Sequence, residues 1–105
     1  MKHTIQHGLS PDLALRATRK ALETYKTHYA QYRPTTEWVT EHRARVAFTI
    51  LGRTLAGTVE VHEEVIDLVL DIPLLFRPFQ DTAMNVVEEE IALWLERARA
   101  GDLDA

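Results

Sequence analysis

The chain has 105 residues, of which 46% are hydrophobic and 27% are charged, with a formal net charge of −4 and no cysteine. These values predict one globular domain, and the acidic balance argues against a general nucleic-acid binder, which needs a basic surface. The lack of cysteine excludes disulfides, zinc-thiolate sites and thiol nucleophiles. The N-terminal residues resemble no signal peptide and no run reaches the ~18 apolar residues of a membrane span, so we expect a soluble, cytoplasmic protein with no transmembrane segment.

The N-terminal third is predicted to form one short strand and one long helix. Residues 2–8 alternate between two faces, a pattern typical of a strand. Ser10 can cap the helix that follows, and Pro11 fits its first position. The helix carries small and aromatic residues at spacings of three and four, and it should end before Pro34, because a residue that precedes proline avoids helical geometry.

From Thr36 onward the hydrophobic period changes from about 3.6 to 2, which predicts antiparallel strands. We expect a tight turn at Gly52, a second turn at 62–64, and strands at 38–40, 45–51, 55–61 and 65–72. The last of these strands alternates strictly until Pro73, which cannot donate an N–H group to a neighbouring strand. We expect the N-terminal strand to pair beside it.

A second long helix is predicted after Pro78, with the glutamates at 88–90 on its solvated exterior and a stop at Gly101. The element order β-α-β-β-β-β-α predicts an α+β fold, in which a curved antiparallel sheet has two helices packed on one face. We expect a single domain over 1–105, with an ordered core at 2–100 and a frayed tail at 101–105.

The residues indicate no catalytic, cofactor-binding or metal site. His3 and His7 share a strand face, but residues four apart on a strand lie about 13 Å apart, too far to bind one ion. The glycines are scattered, so there is no phosphate-binding loop, and the only serine is Ser10. Asp67 and Asp71 lie on the wet face of their strand, where they could form cross-strand ion pairs with Arg43, Arg45 and Arg53. We therefore expect a protein that is not an enzyme and needs no cofactor.

Two apolar sets are the candidate functional residues. The first is a candidate interaction surface that connects the 65–72 strand to the last helix and consists of Leu74, Leu75, Phe76 and Phe79. Two alternatives stay open for it, namely exposure to a partner or burial in the core or a dimer interface. The second set could line a cavity between the sheet and the last helix and consists of Trp38, Phe48, Leu70, Val87 and Trp94.

Several segments together resemble a known family. They are Trp38 in the first meander strand, the hairpin core RVAFTILG, the strand TLAGTVEV and the segment IDLVLDIPLLFRPF. In these features, over roughly 2–97, the chain resembles the small bacterial polyhydroxyalkanoic acid system family, also called granule-region proteins. The resemblance implies an association with polyhydroxyalkanoate storage at or around the granule, and it implies no enzymatic activity.

We therefore expect a non-catalytic binding or accessory protein whose partner is the polyhydroxyalkanoate granule or a granule protein, with no nucleic-acid partner. One alternative is a carrier of a small hydrophobic ligand, bound between the sheet and the C-terminal helix. Another is a structural homodimer, joined through a sheet edge or through the apolar connection at 74–76.

Overall fold

A computed structural model describes residues 2–50, 52–72, 77–78 and 80–101. In chain order the elements are β1 (Lys2–Gln6), α1 (Pro11–His28), a 3₁₀ helix (Ala30–Tyr32), β2 (Thr35–Trp38), β3 (Arg43–Ile50), β4 (Arg53–Val61), β5 (Val65–Asp71) and α2 (Gln80–Arg99). This arrangement confirms the predicted α+β fold and its element order. Neither helix of the described chain is long and apolar enough to cross a membrane.

The five strands form one open antiparallel sheet in the order β1-β5-β4-β3-β2. β1 pairs with β5, as predicted, with Lys2 opposite Val69. The predicted bounds of β2 are wrong: this strand begins at Thr35 and ends at Trp38, not at residue 40. It begins early because Thr35, a β-branched residue suited to a strand, pairs with Ala47 of β3.

Local signals mark the beginning of α1 and the end of α2. The Ser10 hydroxyl accepts a hydrogen bond from the backbone N–H of Leu13 at 3.2 Å, and Pro11 follows as the first helical residue. Beyond α1 the chain turns at Arg33, whose φ of 49° lies in the left-handed region. At the other end, the N–H of Gly101 bonds to the Ala98 carbonyl at 3.1 Å, as expected for a helix stop. Residues 102–105, where the frayed tail was predicted, lie outside the described chain.

Both helices pack on one face of the sheet and against each other around one hydrophobic core. From α1 the core receives small side chains that allow close approach, among them Ala14, Ala17 and Ala21. The central strands contribute alternate residues, as their period of two predicts: Val46, Phe48, Leu55, Val59, Ile66, Leu68 and Leu70. The residues between these point away from the helices, so neither helix covers the second face of the sheet, and the described residues leave it open.

Gly57, on the central strand β4, is needed for close packing. A Cβ atom at this position would overlap the carbonyl oxygen of Val69 and lie 2.6 Å from the Leu70 Cδ2 atom. Because real Cβ atoms do not approach that closely, only glycine lets the Leu70 side chain pack over the middle of β4.

Candidate functional site

The candidate interaction surface predicted from the sequence lies outside the described residues. Its four members are all outside the ranges that the structure describes: Leu74, Leu75, Phe76 and Phe79. Among the described residues near it in the sequence, Ile72 is partly buried against the core and Pro78, between Phe76 and Phe79, is exposed. The role of this surface therefore stays a prediction.

The five residues predicted to line a cavity lie in two different environments. Four of them are at most 8% exposed and belong to the hydrophobic core: Phe48, Leu70, Val87 and Trp94. The fifth, Trp38, is half-buried at the edge of the sheet, with the guanidinium of Arg19 4.3 Å from its ring centroid. Trp38 also lines a surface depression of the described chain, together with Arg19 and Leu22.

The uncovered face of the sheet carries a shallow depression of about 460 Å³ that crosses β2, β3, β4 and β5. Its middle is lined by small residues, which include Ala47, Ala56 and Thr58. Val69 and Asp71 line it on the β5 side. Val69 is 36% exposed, one of the large hydrophobic residues that the described chain leaves open to solvent. We call this face, formed by the outward residues of all five strands, the open face.

Charges of opposite sign lie on different strands of the open face. β3 carries Arg43 and Arg45, whereas β5 carries Asp67 and Asp71. β4 separates them, because Arg43 pairs with Glu60, and Glu60 pairs with Asp67 on its other side. The predicted ion pairs of Arg43 and Arg45 with these aspartates are therefore wrong, since strands two apart in a sheet are about 10 Å apart. Arg53 begins β4, the neighbour of β5, but Asp71 pairs with Ala56, three residues further along β4.

Asp67 instead contacts groups from β1 and from the turn before β5. The Thr4 hydroxyl donates a hydrogen bond to it at 2.9 Å, and the Lys2 ammonium lies 3.8 Å from it. His62 Nε2 lies 3.1 Å from the same carboxylate and 3.2 Å from that of Glu60. These contacts join β1, β4 and β5 at one end of the open face.

A polar network links the two helices on the other side of the molecule. Glu90 is 7% exposed, and its Oε1 atom accepts a hydrogen bond from the Thr24 hydroxyl at 2.6 Å. His28 Nδ1 lies 3.0 Å from the same oxygen, while the Trp94 indole N–H donates to the Thr24 hydroxyl at 2.9 Å. The prediction of a solvated position is wrong for Glu90. Position 90 is three residues after Val87 and four before Trp94, a helical spacing that could have indicated its burial.

The hydroxyl of Tyr25 is buried and has no hydrogen-bond partner in the described chain. Its ring packs against that of Tyr29, with centroids 5.5 Å apart. Burial, together with the nearby Tyr29 and Tyr32 hydroxyls, raises the pKa of the Tyr25 phenol. Tyr25 is therefore neutral at physiological pH and forms part of the core.

Two further histidines make contacts between elements. The fully buried His7 accepts a hydrogen bond from the Leu9 N–H through Nδ1, and its Nε2 lies 3.0 Å from the His62 carbonyl oxygen. His3 Nδ1 lies 2.8 Å from a Glu88 carboxylate oxygen, which joins β1 to α2. Within the described ranges, no group of three or more histidine, aspartate or glutamate side chains is placed to hold a metal ion.

The fold and the open face define a small α+β protein in which two helices cover one side of an open five-stranded sheet. The family model described as "putative polyhydroxyalkanoic acid system protein", for the granule-region proteins, matches residues 2–95. Because this match covers most of the chain, the protein belongs to that family, which confirms the resemblance seen in the sequence. A comparison with curated proteins found no match, and neither did a comparison with solved structures.

Proposed function

We propose that this chain is a non-catalytic accessory protein of polyhydroxyalkanoate storage, which works by binding the granule or a protein on its surface. The family match over residues 2–95 is the observation that carries the proposal. The family description refers to the polyhydroxyalkanoic acid system and mentions no reaction. The proposal includes a cytoplasmic location, which fluorescence microscopy of the tagged protein in a granule-forming cell would test.

The engagement of reactive side chains in folding contacts supports a binding role over a catalytic one. Catalysis needs a nucleophile or an acid–base group that a substrate can reach. The only serine, Ser10, caps α1, and the Glu90 carboxylate is held between Thr24 and His28. The phenol of Tyr25 is buried, and its pKa is raised. The Ser10 hydroxyl and the Glu90 carboxylate are thus engaged in contacts of the fold, and burial keeps the Tyr25 phenol away from a substrate.

The chemistry of the granule suggests how binding could occur. A polyester surface is apolar and uncharged, so a protein adsorbs to it by transferring exposed apolar side chains out of water. The candidate surface of Leu74, Leu75, Phe76 and Phe79 is the apolar set that we propose for this contact. In the sequence this set lies between the end of β5 and the beginning of α2.

Sedimentation of the purified protein with washed polyhydroxyalkanoate granules tests the proposal, with a soluble protein of the same size for comparison. We expect saturable binding that persists at high salt, because salt screens charges and does not weaken apolar contacts. Leu75→Glu should release the protein from the granules. Leu93→Glu is the matched control, because Leu93 lies on α2 and is 43% exposed.

The outcomes separate the proposal from the choice of surface. If the wild-type protein does not bind granules, with or without their native proteins, the proposed function is refuted. If the wild type binds and Leu75→Glu binds equally well, the candidate surface is wrong while the function stands. If Leu93→Glu loses binding as well, the effect of the added charge is not local, and the apolar connection is not the specific contact.

A further inference from the structure

The open face carries charged side chains that have no partner within the molecule. Arg43 and Arg45 on β3 and Asp71 on β5 are exposed, and their side chains make no ion pair or hydrogen bond in the described part of the chain. The exposed Val69 lies on the same face. A surface with unpaired charges of both signs beside an exposed valine fits a partner of complementary charge.

The sheet register places the positive charges of β3 and the negative charges of β5 symmetrically about the central strand. β4 is the third of the five strands, with β3 on one side and β5 on the other. Arg43 is level with Asp67, because both pair with Glu60. In the same way, Arg45 and Val69 are level with each other, because both pair with Thr58 of β4. β3, with its arginines, and β5, with its aspartates, therefore occupy equivalent positions on either side of β4.

We propose that the partner is a second copy of this chain, docked sheet against sheet on the open face. The two-fold axis lies between the two sheets and runs parallel to β4, so that β3 of each copy covers β5 of the other. Arg43 of one copy then lies over Asp67 of the second copy. Arg45 lies over Val69 of the second copy and points its side chain into the depression, toward Asp71.

The distances allow this contact. Sheets packed face to face are about 10 Å apart, and a step of two residues along a strand is about 6.6 Å. Asp71 is two residues from Val69 along β5, so the flexible Arg45 side chain can reach it from the facing sheet. Both Val69 and Asp71 line the depression of about 460 Å³, which provides room for the arginine side chain.

Charge also selects this axis over the other face-to-face arrangement. A two-fold axis perpendicular to the strands would place β5 over β5 and β3 over β3, with like charges opposed. The parallel axis instead places β1 over β2, where Lys2 meets Glu37, because both are at the level of Thr58. One like-charge contact arises on the axis between the two copies of Glu60, and His62 lies 3.2 Å from that carboxylate.

The area of the open face indicates a weak dimer. Five strands spaced about 4.8 Å apart, each presenting roughly six residues of 3.3 Å, cover about 480 Å² per copy. Stable interfaces bury about 800 Å² on each partner, so association should depend on protein concentration. Because exposed ion pairs orient the copies, association should also weaken as salt is added.

Sedimentation equilibrium of the full chain, from about 10 µM to about 1 mM, tests this proposal without granules. We expect a monomer–dimer equilibrium, and we expect Arg45→Glu or Asp71→Arg alone to weaken it at least about tenfold. An equimolar mixture of these two variants should associate again, because each new glutamate meets the new arginine of the other variant. Lys26→Glu is the control, with the same change of charge on the exposed surface of α1.

Three results would overturn the proposal. One is a wild-type protein that stays monomeric over the whole concentration range. Another is a mixture of the two variants that associates no better than either variant alone. The third is a Lys26→Glu protein that loses association as strongly as Arg45→Glu, since the effect would then reflect net charge. None of these results bears on granule binding, which is measured separately.

Discussion

The buried hydroxyl of Tyr25 allows a test in which removal of one atom should stabilise the protein. Tyr25→Phe deletes the oxygen that has no partner in the described chain and keeps the ring that packs against Tyr29. Burial of a hydroxyl without a hydrogen bond costs roughly 1–3 kcal/mol. We expect Tyr25→Phe to raise the free energy of unfolding at pH 7 by about 1 kcal/mol, whereas most substitutions lower it.

The same residue predicts a loss of stability at alkaline pH. The pKa of Tyr25 is raised in the folded protein by burial and by the nearby Tyr29 and Tyr32 hydroxyls, while in the unfolded chain it is about 10. Above pH 10 the unfolded chain therefore releases a proton that the folded protein retains, which favours unfolding. Ionisation of Tyr25 therefore leaves the free energy of unfolding unchanged below about pH 10. Above that pH it lowers the free energy of unfolding by at most about 1.4 kcal/mol per pH unit.

Urea unfolding at pH 7 and at about pH 11, followed by tryptophan fluorescence, measures both effects. The Tyr25→Phe protein should be the more stable one at pH 7, and its advantage should increase at the alkaline pH. Tyr29→Phe is the matched control, because Tyr29 is only half-buried in the same cluster. A Tyr25→Phe protein that is less stable than wild type by more than about 1 kcal/mol would show that the hydroxyl has a partner. If the wild type and Tyr25→Phe lose the same amount of stability between pH 7 and about pH 11, the argument from the pKa of Tyr25 is refuted.

Three further predictions concern stability and can be checked by thermal or urea unfolding. Thr24→Val should cost about 2–3 kcal/mol, because a buried carboxylate and an indole N–H lose their partner. Thr18→Val is the control, because it loses only a hydrogen bond to a helical carbonyl. An equal loss of stability in Thr24→Val and Thr18→Val would contradict the proposed role of the Thr24–Glu90–Trp94 network. Gly57→Ala should cost more than about 3 kcal/mol or prevent folding, because the new Cβ meets β5, and a near-neutral result would disprove this. Ser10→Ala should cost about 1 kcal/mol and Ser10→Asp much less, because aspartate also caps helices. Equal stability of both variants and the wild type would show that the cap is unimportant.

Apart from the pairing of β1 with β5, the features predicted correctly from the sequence depend on residues close to each other in the chain. The start of α1 follows from Ser10 and Pro11, and the stop after α2 follows from Gly101. The alternation in β3, β4 and β5 identified their buried faces, because the side chains of a strand point to opposite sides in turn. The family was also recognised from continuous segments, and the match over 2–95 confirms it.

The errors concern positions that depend on partners far away in the chain. Glu90 belongs to a run of three glutamates that is typical of a solvated helix, yet it is buried because Thr24 and His28 of α1 contact its carboxylate. The ion pairs expected for Asp67 were wrong because the order of strands inserts β4 between the two charged strands. Pairing over such sequence distances is decided by packing of the whole sheet.

The helices, the strands and the family could be predicted from the sequence, because hydrophobic periods, caps and prolines act over a few residues. The register between the strands, the burial of Glu90 and the division of charge across the open face could be read only from the folded molecule. The tertiary structure also created the depression beside Val69 and Asp71, whose lining residues come from four strands. Such a surface exists only after the strands pair, since the side chains that form it are neighbours in the sheet and not in the chain.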